Sequence, residues 1–144
     1  SHFTDWTIGH VHSGALGWNA MITYGTFYYL VPRLVGVDLY SVRLANIHFW
    51  LALAGTMLYV MAMWGAGVSQ GLLWLSVDEI GELSFSFKDI MASMAPFYGL
   101  RLIAGLIFLG GTVLMAFNLF MTLKGRHAVK VQIPAVDPAY GVAS

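Results

Sequence analysis

Charged residues divide the chain into three long blocks that contain no Asp, Glu, Lys or Arg. These blocks cover residues 6–32, 44–77 and 102–123. A helix needs about 20 apolar residues to cross roughly 30 Å of hydrocarbon at 1.5 Å per residue, and each block is long enough. Apolar and polar residues do not alternate as in strands, and open strands in lipid would leave backbone groups unpaired. The pattern predicts an all-α integral membrane protein with three transmembrane helices.

Local signals set the ends of the first two helices. Thr4 or Asp5 is a suitable N-cap for the first helix, and Ser41 is suitable for the second. Pro32 is expected to end the first helix, because proline has no N–H to donate inside one. The predicted helices cover about 5–32, 41–75 and 88–123.

The third helix is expected to begin near Lys88, before its membrane portion, with a kink or a restart at Pro96. Gly65, Gly67 and Gly71 lie close together near the end of the second block. Such small residues predict bending or close helix packing there. We divide the chain into a membrane segment, 1–124, and a polar tail, 125–144.

Composition agrees with a membrane protein. Apolar residues make up 58% of the chain, charged residues make up 10%, and the mean hydropathy is +0.72. Soluble domains carry about 25% charged residues. The formal net charge is +0, which gives no indication of a nucleic-acid partner. The chain has no Cys, which excludes a disulfide framework, a zinc–thiolate site and an iron–sulfur cluster built from this chain.

Basic residues of short loops tend to remain on the cytoplasmic side of a membrane. The connection between the second and third helices carries four acidic residues and only Lys88 as a basic one. The first connection and the tail are basic, through Arg33, Arg43, Lys124, Arg126 and Lys130. We therefore predict an N-terminus outside and a C-terminus in the cytoplasm. The chain starts with Ser and has few spans, so we expect it to be the C-terminal part of a longer polypeptide.

His10 and His12 are the most informative residues, because ionisable side chains inside a membrane helix are costly and usually functional. Positions i and i+2 of a helix point about 200° apart. The two imidazoles therefore do not suit one metal ion, but each can bind a separate one. Gly and Ala residues around the pair leave room for flat ligands, and imidazole is a common axial ligand of haem iron. Two histidines that hydrogen-bond to neighbouring helices remain the alternative.

The run 2–19, HFTDWTIGHVHSGALGWN, resembles the haem-ligating helix of haem–copper oxidases, and in detail the catalytic subunit I of cbb3-type cytochrome c oxidases. The segments 44–50 and 67–74 are also similar to that family. The resemblance implies the C-terminal segment of a twelve-helix bundle. It also implies that His10 ligates the iron of high-spin haem b3, that His12 ligates the iron of low-spin haem b, and that His2 lies near the haem propionates.

The resemblance further implies an enzyme of the bacterial inner membrane that passes electrons from cytochrome c to oxygen, forms water and translocates protons. Its partners would be c-type cytochrome subunits and other oxidase subunits within the lipid bilayer. The copper ligands of the family have no matching motif in this chain. Copper is therefore expected in the full-length subunit but not on these residues, and no catalytic residue is assigned here.

Three other polar residues, Arg101, Asp5 and His48, each allow two interpretations. Arg101, at the boundary of the third span, either extends toward lipid headgroups or pairs with a haem propionate. Asp5 either caps its helix, the preferred interpretation, or contacts a propionate-bound cation. His48 is interpreted as a hydrogen-bonded or proton-handling residue near the inner side, and His127 as a solvated residue of the tail.

Three rival functions remain open on the sequence. A nitric oxide reductase shares the His-x-His helix but holds a non-haem iron in place of copper. A membrane cytochrome or anchor subunit would bind haem without a catalytic centre. A transporter with buried histidines would bind no haem at all.

Overall fold

The computed structural model describes residues 2–125, and their architecture is helical. The helices are α1 (Trp6–His12), a π-helical segment (Ser13–Ala20), α2 (Met21–Val35), α3 (Val42–Trp74), α4 (Phe87–Ser93) and α5 (Ala95–Leu123). Within this range the strand content is a single isolated bridge, between Val77 and Leu83. The all-α prediction is confirmed.

Two of these helices, α3 and α5, are long and apolar enough to cross a membrane. The first predicted span is helical from Trp6 to Val35, but the π-helical segment divides it into shorter elements. Its passage through the membrane therefore stays a prediction, as does the division into a membrane segment and a tail. Arg126, His127 and Lys130 lie outside the described residues.

The ends of the helices confirm two predictions and correct a third. Ser41 is the N-cap of α3, where its side chain accepts a hydrogen bond from the Leu44 backbone N–H at 3.3 Å. The third helical region does restart: α4 ends at Ser93, and Pro96 lies in the first turn of α5. The prediction that Pro32 ends the first helix is wrong. Pro32 has no N–H and so lacks one backbone hydrogen bond, but α2 continues to Val35. Gly36 ends the helix in the left-handed conformation, with φ 70°.

Close backbone approach explains how α3 packs against its neighbours. A Cβ atom at Gly55 would lie 2.9 Å from the backbone nitrogen of Phe108 in α5. A Cβ atom at Gly67 would lie 2.6 Å from the Cα of Trp6, and one at Gly65 would lie 2.9 Å from the Phe97 ring. Close packing at Gly65 and Gly67 is therefore confirmed, whereas Gly71 meets nothing within 4 Å.

The surface of the described residues carries many large apolar side chains, and their interior contains polar side chains beside apolar ones such as Met63 and Ile90. Large apolar side chains such as Leu102, Leu106, Leu109 and Val113 are exposed along α5. The buried polar side chains are Asp5, His48, Thr56, Gln70, Asn118 and Thr122. Buried polar groups need hydrogen-bond partners, and an apolar exterior suits lipid or further helices of a larger bundle.

Candidate functional site

Helix α1 contacts α3 through Gly9. A Cβ atom at Gly9 would lie 2.6 Å from the Trp64 indole and 3.1 Å from the Cβ of Met63, so only glycine allows this approach. His10 follows Gly9 by about 100° around the helix, and His12 lies about 60° to the other side. The two imidazoles therefore occupy opposite flanks of the line along which α1 touches α3.

His12 is held in one tautomer by its own helix. Its Nδ1 lies 2.8 Å from the backbone carbonyl oxygen of Ile8, which can only accept, so Nδ1 carries the hydrogen. The ring packs on Tyr59 of α3, with centroids 4.8 Å apart and planes at 33°. The proton on Nδ1 leaves a lone pair on Nε2, and the same arrangement orients many metal-ligating histidines.

His10 is exposed on the other flank, and its neighbour Val11 is exposed as well. Its backbone carbonyl accepts a hydrogen bond from the Ser13 hydroxyl at 2.7 Å, at the residue where the π-helical segment begins. Gly14 has nothing within 4 Å of its missing Cβ, so the surface beyond the imidazole is open. Short π-helical segments occur frequently at functional sites, and the sequence analysis did not anticipate this one.

Asp5 does not cap α1, and the preferred interpretation of that residue is wrong. It occupies the N-cap position without a side-chain capping bond. Its carboxylate instead accepts hydrogen bonds from Gln70 Nε2 and from the Tyr98 hydroxyl, each at 2.9 Å. The Asp5 backbone N–H donates to Gln70 Oε1 at 2.6 Å. These partners lie on α3 and α5, so Asp5 joins three helices at one point.

Gln70 and Tyr98 are residues of this site that the sequence analysis missed. Gln70 is 3% exposed, and an amide side chain inside an uncharged span is a signal that could have identified it. Tyr98 lies one turn before Arg101, and the guanidinium carbon of Arg101 is 5.0 Å from the Tyr98 ring centroid. No spacing rule in the sequence joins either residue to Asp5.

Arg101 turns toward the interior of the bundle. Its Nη1 lies 3.9 Å from the sulfur of Met63, a residue that is fully buried. Met63 also packs against Gly9, the residue before His10. Arg101 therefore lies at about the same depth in the bundle as Gly9. This direction disfavours extension toward lipid headgroups, and pairing with a propionate stays a prediction.

His2 is separate from the histidine pair. It is exposed and lines a cavity of about 760 Å³ between the first residues of the chain and the end of α3, together with Phe3 and Trp74. Neither His10 nor His12 lines this cavity. A role near haem propionates stays a prediction for His2.

His48 lies at the opposite end of the bundle, and its hydrogen-bonded interpretation is confirmed. It is 2% exposed, and its Nδ1 lies 3.2 Å from the Tyr28 hydroxyl. The Tyr24 ring packs edge-on against it, with centroids 4.8 Å apart. Its Nε2 is buried and has no hydrogen-bond partner among residues 2–125.

The sequence was compared with known protein families and with curated proteins. Residues 1–107 match the family described as "Cytochrome C and Quinol oxidase polypeptide I". A "Cytochrome c oxidase subunit 1 homolog" of Agrobacterium tumefaciens is 51% identical over 96% of this chain and 27% of its own length. A cbb3-type cytochrome c oxidase subunit of Stutzerimonas stutzeri is 46% identical over 94% of this chain and 29% of its own length.

A nitric oxide reductase subunit of Stutzerimonas stutzeri is also similar, with 31% identity over 94% of this chain and 28% of its own length. The chain thus spans between a quarter and a third of these relatives. The match to the family covers well over half of the chain, from its first residue to the middle of α5. The chain therefore belongs to the cytochrome c and quinol oxidase polypeptide I family.

Proposed function

We propose that this chain is the haem-carrying part of the catalytic subunit of a cbb3-type cytochrome c oxidase. The complete subunit would pass electrons from cytochrome c to oxygen, form water and couple this reaction to proton translocation. The observation that carries the proposal is the placement of His10 and His12 on opposite flanks of α1. Family membership and the 46% identity to a cbb3-type subunit support it.

The residues present fit two haem groups. His12 offers Nε2 as its ligating atom because Nδ1 is engaged by the Ile8 carbonyl. His10 is exposed on the far flank, where Gly14 leaves the surface open. In this proposal His12 ligates low-spin haem b and His10 ligates high-spin haem b3. Bound haem would supply the redox-active iron that accepts electrons and binds oxygen.

Arg101 and His2 are proposed to serve the propionates. The guanidinium of Arg101 matches carboxylate geometry and points into the bundle at the depth of Gly9, which suits a carboxylate near α1. His2 lines a cavity at the end of α3 that neither His10 nor His12 reaches, so we assign it a weaker contact with the propionates. Copper would be held by residues of the complete subunit outside this chain.

The location and partners are part of the same proposal. The complete protein would lie in the bacterial inner membrane with the N-terminal residues of this chain outside and its C-terminus in the cytoplasm. Basic loops and an acidic connection support this orientation. The c-type cytochrome subunits would deliver electrons at the outer end, where the histidine pair would lie.

Single substitutions of the two histidines in the complete oxidase test the proposal. His10→Leu should abolish the carbon monoxide adduct of the reduced enzyme and retain the low-spin haem band, whereas His12→Leu should do the reverse. Val11→Ala, at the exposed position between them, is the matched control and should change neither signal. Retention of both signals in either histidine variant would contradict the assignment.

A nitric oxide reductase is the second candidate, and the 31% identity to a subunit of such an enzyme favours considering it. The two functions differ in the gas that the complete enzyme consumes. We expect the purified enzyme to consume oxygen with a reduced c-type cytochrome as donor. Consumption of nitric oxide with little oxygen uptake would favour the reductase.

A further inference from the structure

Asp5, Gln70 and Tyr98 form a buried cluster, here named the Asp5 clamp, that the proposed haem ligation does not use. Asp5 is 7% exposed and Gln70 is 3% exposed. A buried carboxylate is costly unless it accepts hydrogen bonds, and here the Gln70 amide and the Tyr98 hydroxyl both donate to Oδ2 of Asp5. A cluster of this kind at the start of a helix fixes that helix in place.

Gln70 holds Asp5 at two points. Its carbonyl oxygen accepts from the Asp5 backbone N–H, and its amide nitrogen donates to the Asp5 carboxylate. One contact would set a distance only, whereas a backbone contact and a side-chain contact on the same residue also set the rotation of the helix. Tyr98 adds a third contact from α5.

Contacts further along α1 keep the register of α1 on α3 that the clamp sets. The Trp6 ring stacks on Trp64, with centroids 5.2 Å apart and planes at 20°. Gly67 admits the Trp6 backbone and Gly9 admits the Trp64 ring. His12 then lies on Tyr59, so successive turns of α1 meet successive turns of α3 in antiparallel order.

A change of register would move the two imidazoles. A shift by one residue rotates every side chain of a helix by about 100° and displaces it by about 1.5 Å. Metal ligands tolerate little displacement, and outer partners that orient them carry large effects on metal binding. His10 and His12 lie within two helical turns of Asp5, so a change of register at the clamp reaches both imidazoles through a short length of α1.

We propose that the Asp5 clamp is a positioning device that sets the register of α1 on α3 and thereby directs the His10 and His12 imidazoles toward their separate haems. This inference rests on the proposed function. Asp5, Gln70 and Tyr98 are positioning residues, because they act through α1 and are not assigned a contact with haem.

A charge swap in the complete, assembled oxidase tests the inference. Gln70→Glu places two carboxylates face to face and removes the amide donor. In the double variant Asp5→Asn with Gln70→Glu, the amide introduced at position 5 donates to the carboxylate introduced at position 70, which still accepts from the backbone N–H of position 5. The second hydrogen of that amide can donate to the Tyr98 hydroxyl oxygen. Glu79→Gln, in an exposed loop, is the control for loss of a carboxylate.

The readouts are the carbon monoxide-reactive haem per assembled oxidase and the electron paramagnetic resonance g-values of the low-spin haem, which report the direction of its axial imidazole. For Gln70→Glu we expect about a tenfold loss of reactive haem, the scale of outer partners of metal ligands, and shifted g-values. The double variant should regain both. A purely stabilising cluster would lower the amount of assembled protein without changing the spectrum of what remains.

Unchanged haem content and g-values in Gln70→Glu would overturn the inference, as would a double variant that regains assembly but not the spectrum. If Gln70→Glu does not accumulate, Tyr98→Phe removes one donor with little change of shape. Tyr98→Phe should shift the g-values, and an unaltered spectrum would again overturn the inference. Failure of the clamp variants while the His10 and His12 substitutions behave as proposed would leave the proposed function standing.

Discussion

The two ends of the bundle hold their buried polar groups in different ways. At one end, the side chains of the Asp5 clamp satisfy one another across three helices, next to His10 and His12. At the other end, Asn118 joins α5 to the Ser41 backbone by two hydrogen bonds, but within residues 2–125 His48 is bonded through Nδ1 alone. A cavity of about 350 Å³ adjoins His48, Tyr24 and Tyr28.

The difference indicates different tasks. A cluster whose side chains hydrogen-bond one another across three helices resists displacement, which suits the positioning of metal ligands. His48 Nε2 has no partner within residues 2–125, and it lies beside a cavity that Tyr24, Tyr28 and Asn46 help to line, so it is a place for bound water. We therefore expect the Asp5 clamp to be more rigid than the surroundings of His48, and the immediate surroundings of His48 to hold bound water. Substitutions on the two sides test this contrast.

Gly67→Ala should have the largest effect, at the clamp end. The new Cβ would press on the Trp6 backbone, which cannot move without displacing Asp5. Overpacking against backbone costs about 3 kcal/mol, so the thermal unfolding midpoint of the detergent-purified protein should fall markedly. Gly71→Ala, on the same helix with open space, is the matched control. Equal midpoints for the two variants would contradict the tight fit.

Asn118→Ala should have the next largest effect, at the His48 end. Asn118 is fully buried, accepts from the Ser41 N–H at 3.0 Å and donates to the Ser41 carbonyl at 2.8 Å. Its removal takes the acceptor from the Ser41 N–H and one of two donors from the Ser41 carbonyl, which still accepts from the Ala45 N–H, and this costs about 2 kcal/mol of unfolding free energy. Leu109→Ala, at an exposed position of α5, provides the comparison. A smaller loss for Asn118→Ala than for Leu109→Ala would show that water replaces the amide at no cost.

Tyr28→Phe should lower the free energy of unfolding by about 1 kcal/mol, the net value of one hydrogen bond, because it leaves both ring nitrogens of His48 without a protein partner. The neighbouring Tyr29 is 58% exposed, so Tyr29→Phe is the matched control and should change little. The thermal unfolding midpoints of the two variants are the measurement, and the midpoint of Tyr28→Phe should be the lower one. An unchanged midpoint for Tyr28→Phe would show that water replaces the Tyr28 hydroxyl at His48 Nδ1, so that this hydrogen bond adds nothing to stability.

Ser41→Ala should have the smallest effect. Its side chain caps α3 through one long bond to the Leu44 N–H, and the loss of an N-cap costs about 0.5–1 kcal/mol. Ser41→Gly should cost only a few tenths of a kcal/mol, because glycine is tolerated at this position. The ranking is checked by denaturant titration of both variants. A loss as large as that of Asn118→Ala would mean that the cap, and not the amide, holds this end.

Periodicity and local signals predicted the features that depend on near neighbours in the chain. The extent of α3, the Ser41 cap, the restart at Pro96 and the close approach at Gly67 each follow from a few adjacent residues. The opposite directions of His10 and His12 follow from helix geometry alone.

Features that depend on distant partners could not be predicted in this way. Asp5 suits an N-cap locally, but Gln70 lies 65 positions away and Tyr98 lies 93 positions away, and together they outcompete the cap. Pro32 has a strong local tendency to end a helix, yet the helix continues to the left-handed Gly36. The π-helical segment after His12 also lacks a sequence signal of its own.

A density map of the complete oxidase that resolves its haem planes is the most direct test of the central claim. We predict two macrocycles on opposite flanks of α1, one with iron bound to His10 Nε2 and the other with iron bound to His12 Nε2. One iron shared by both imidazoles, or either imidazole packed against protein with no macrocycle beside it, would contradict the account.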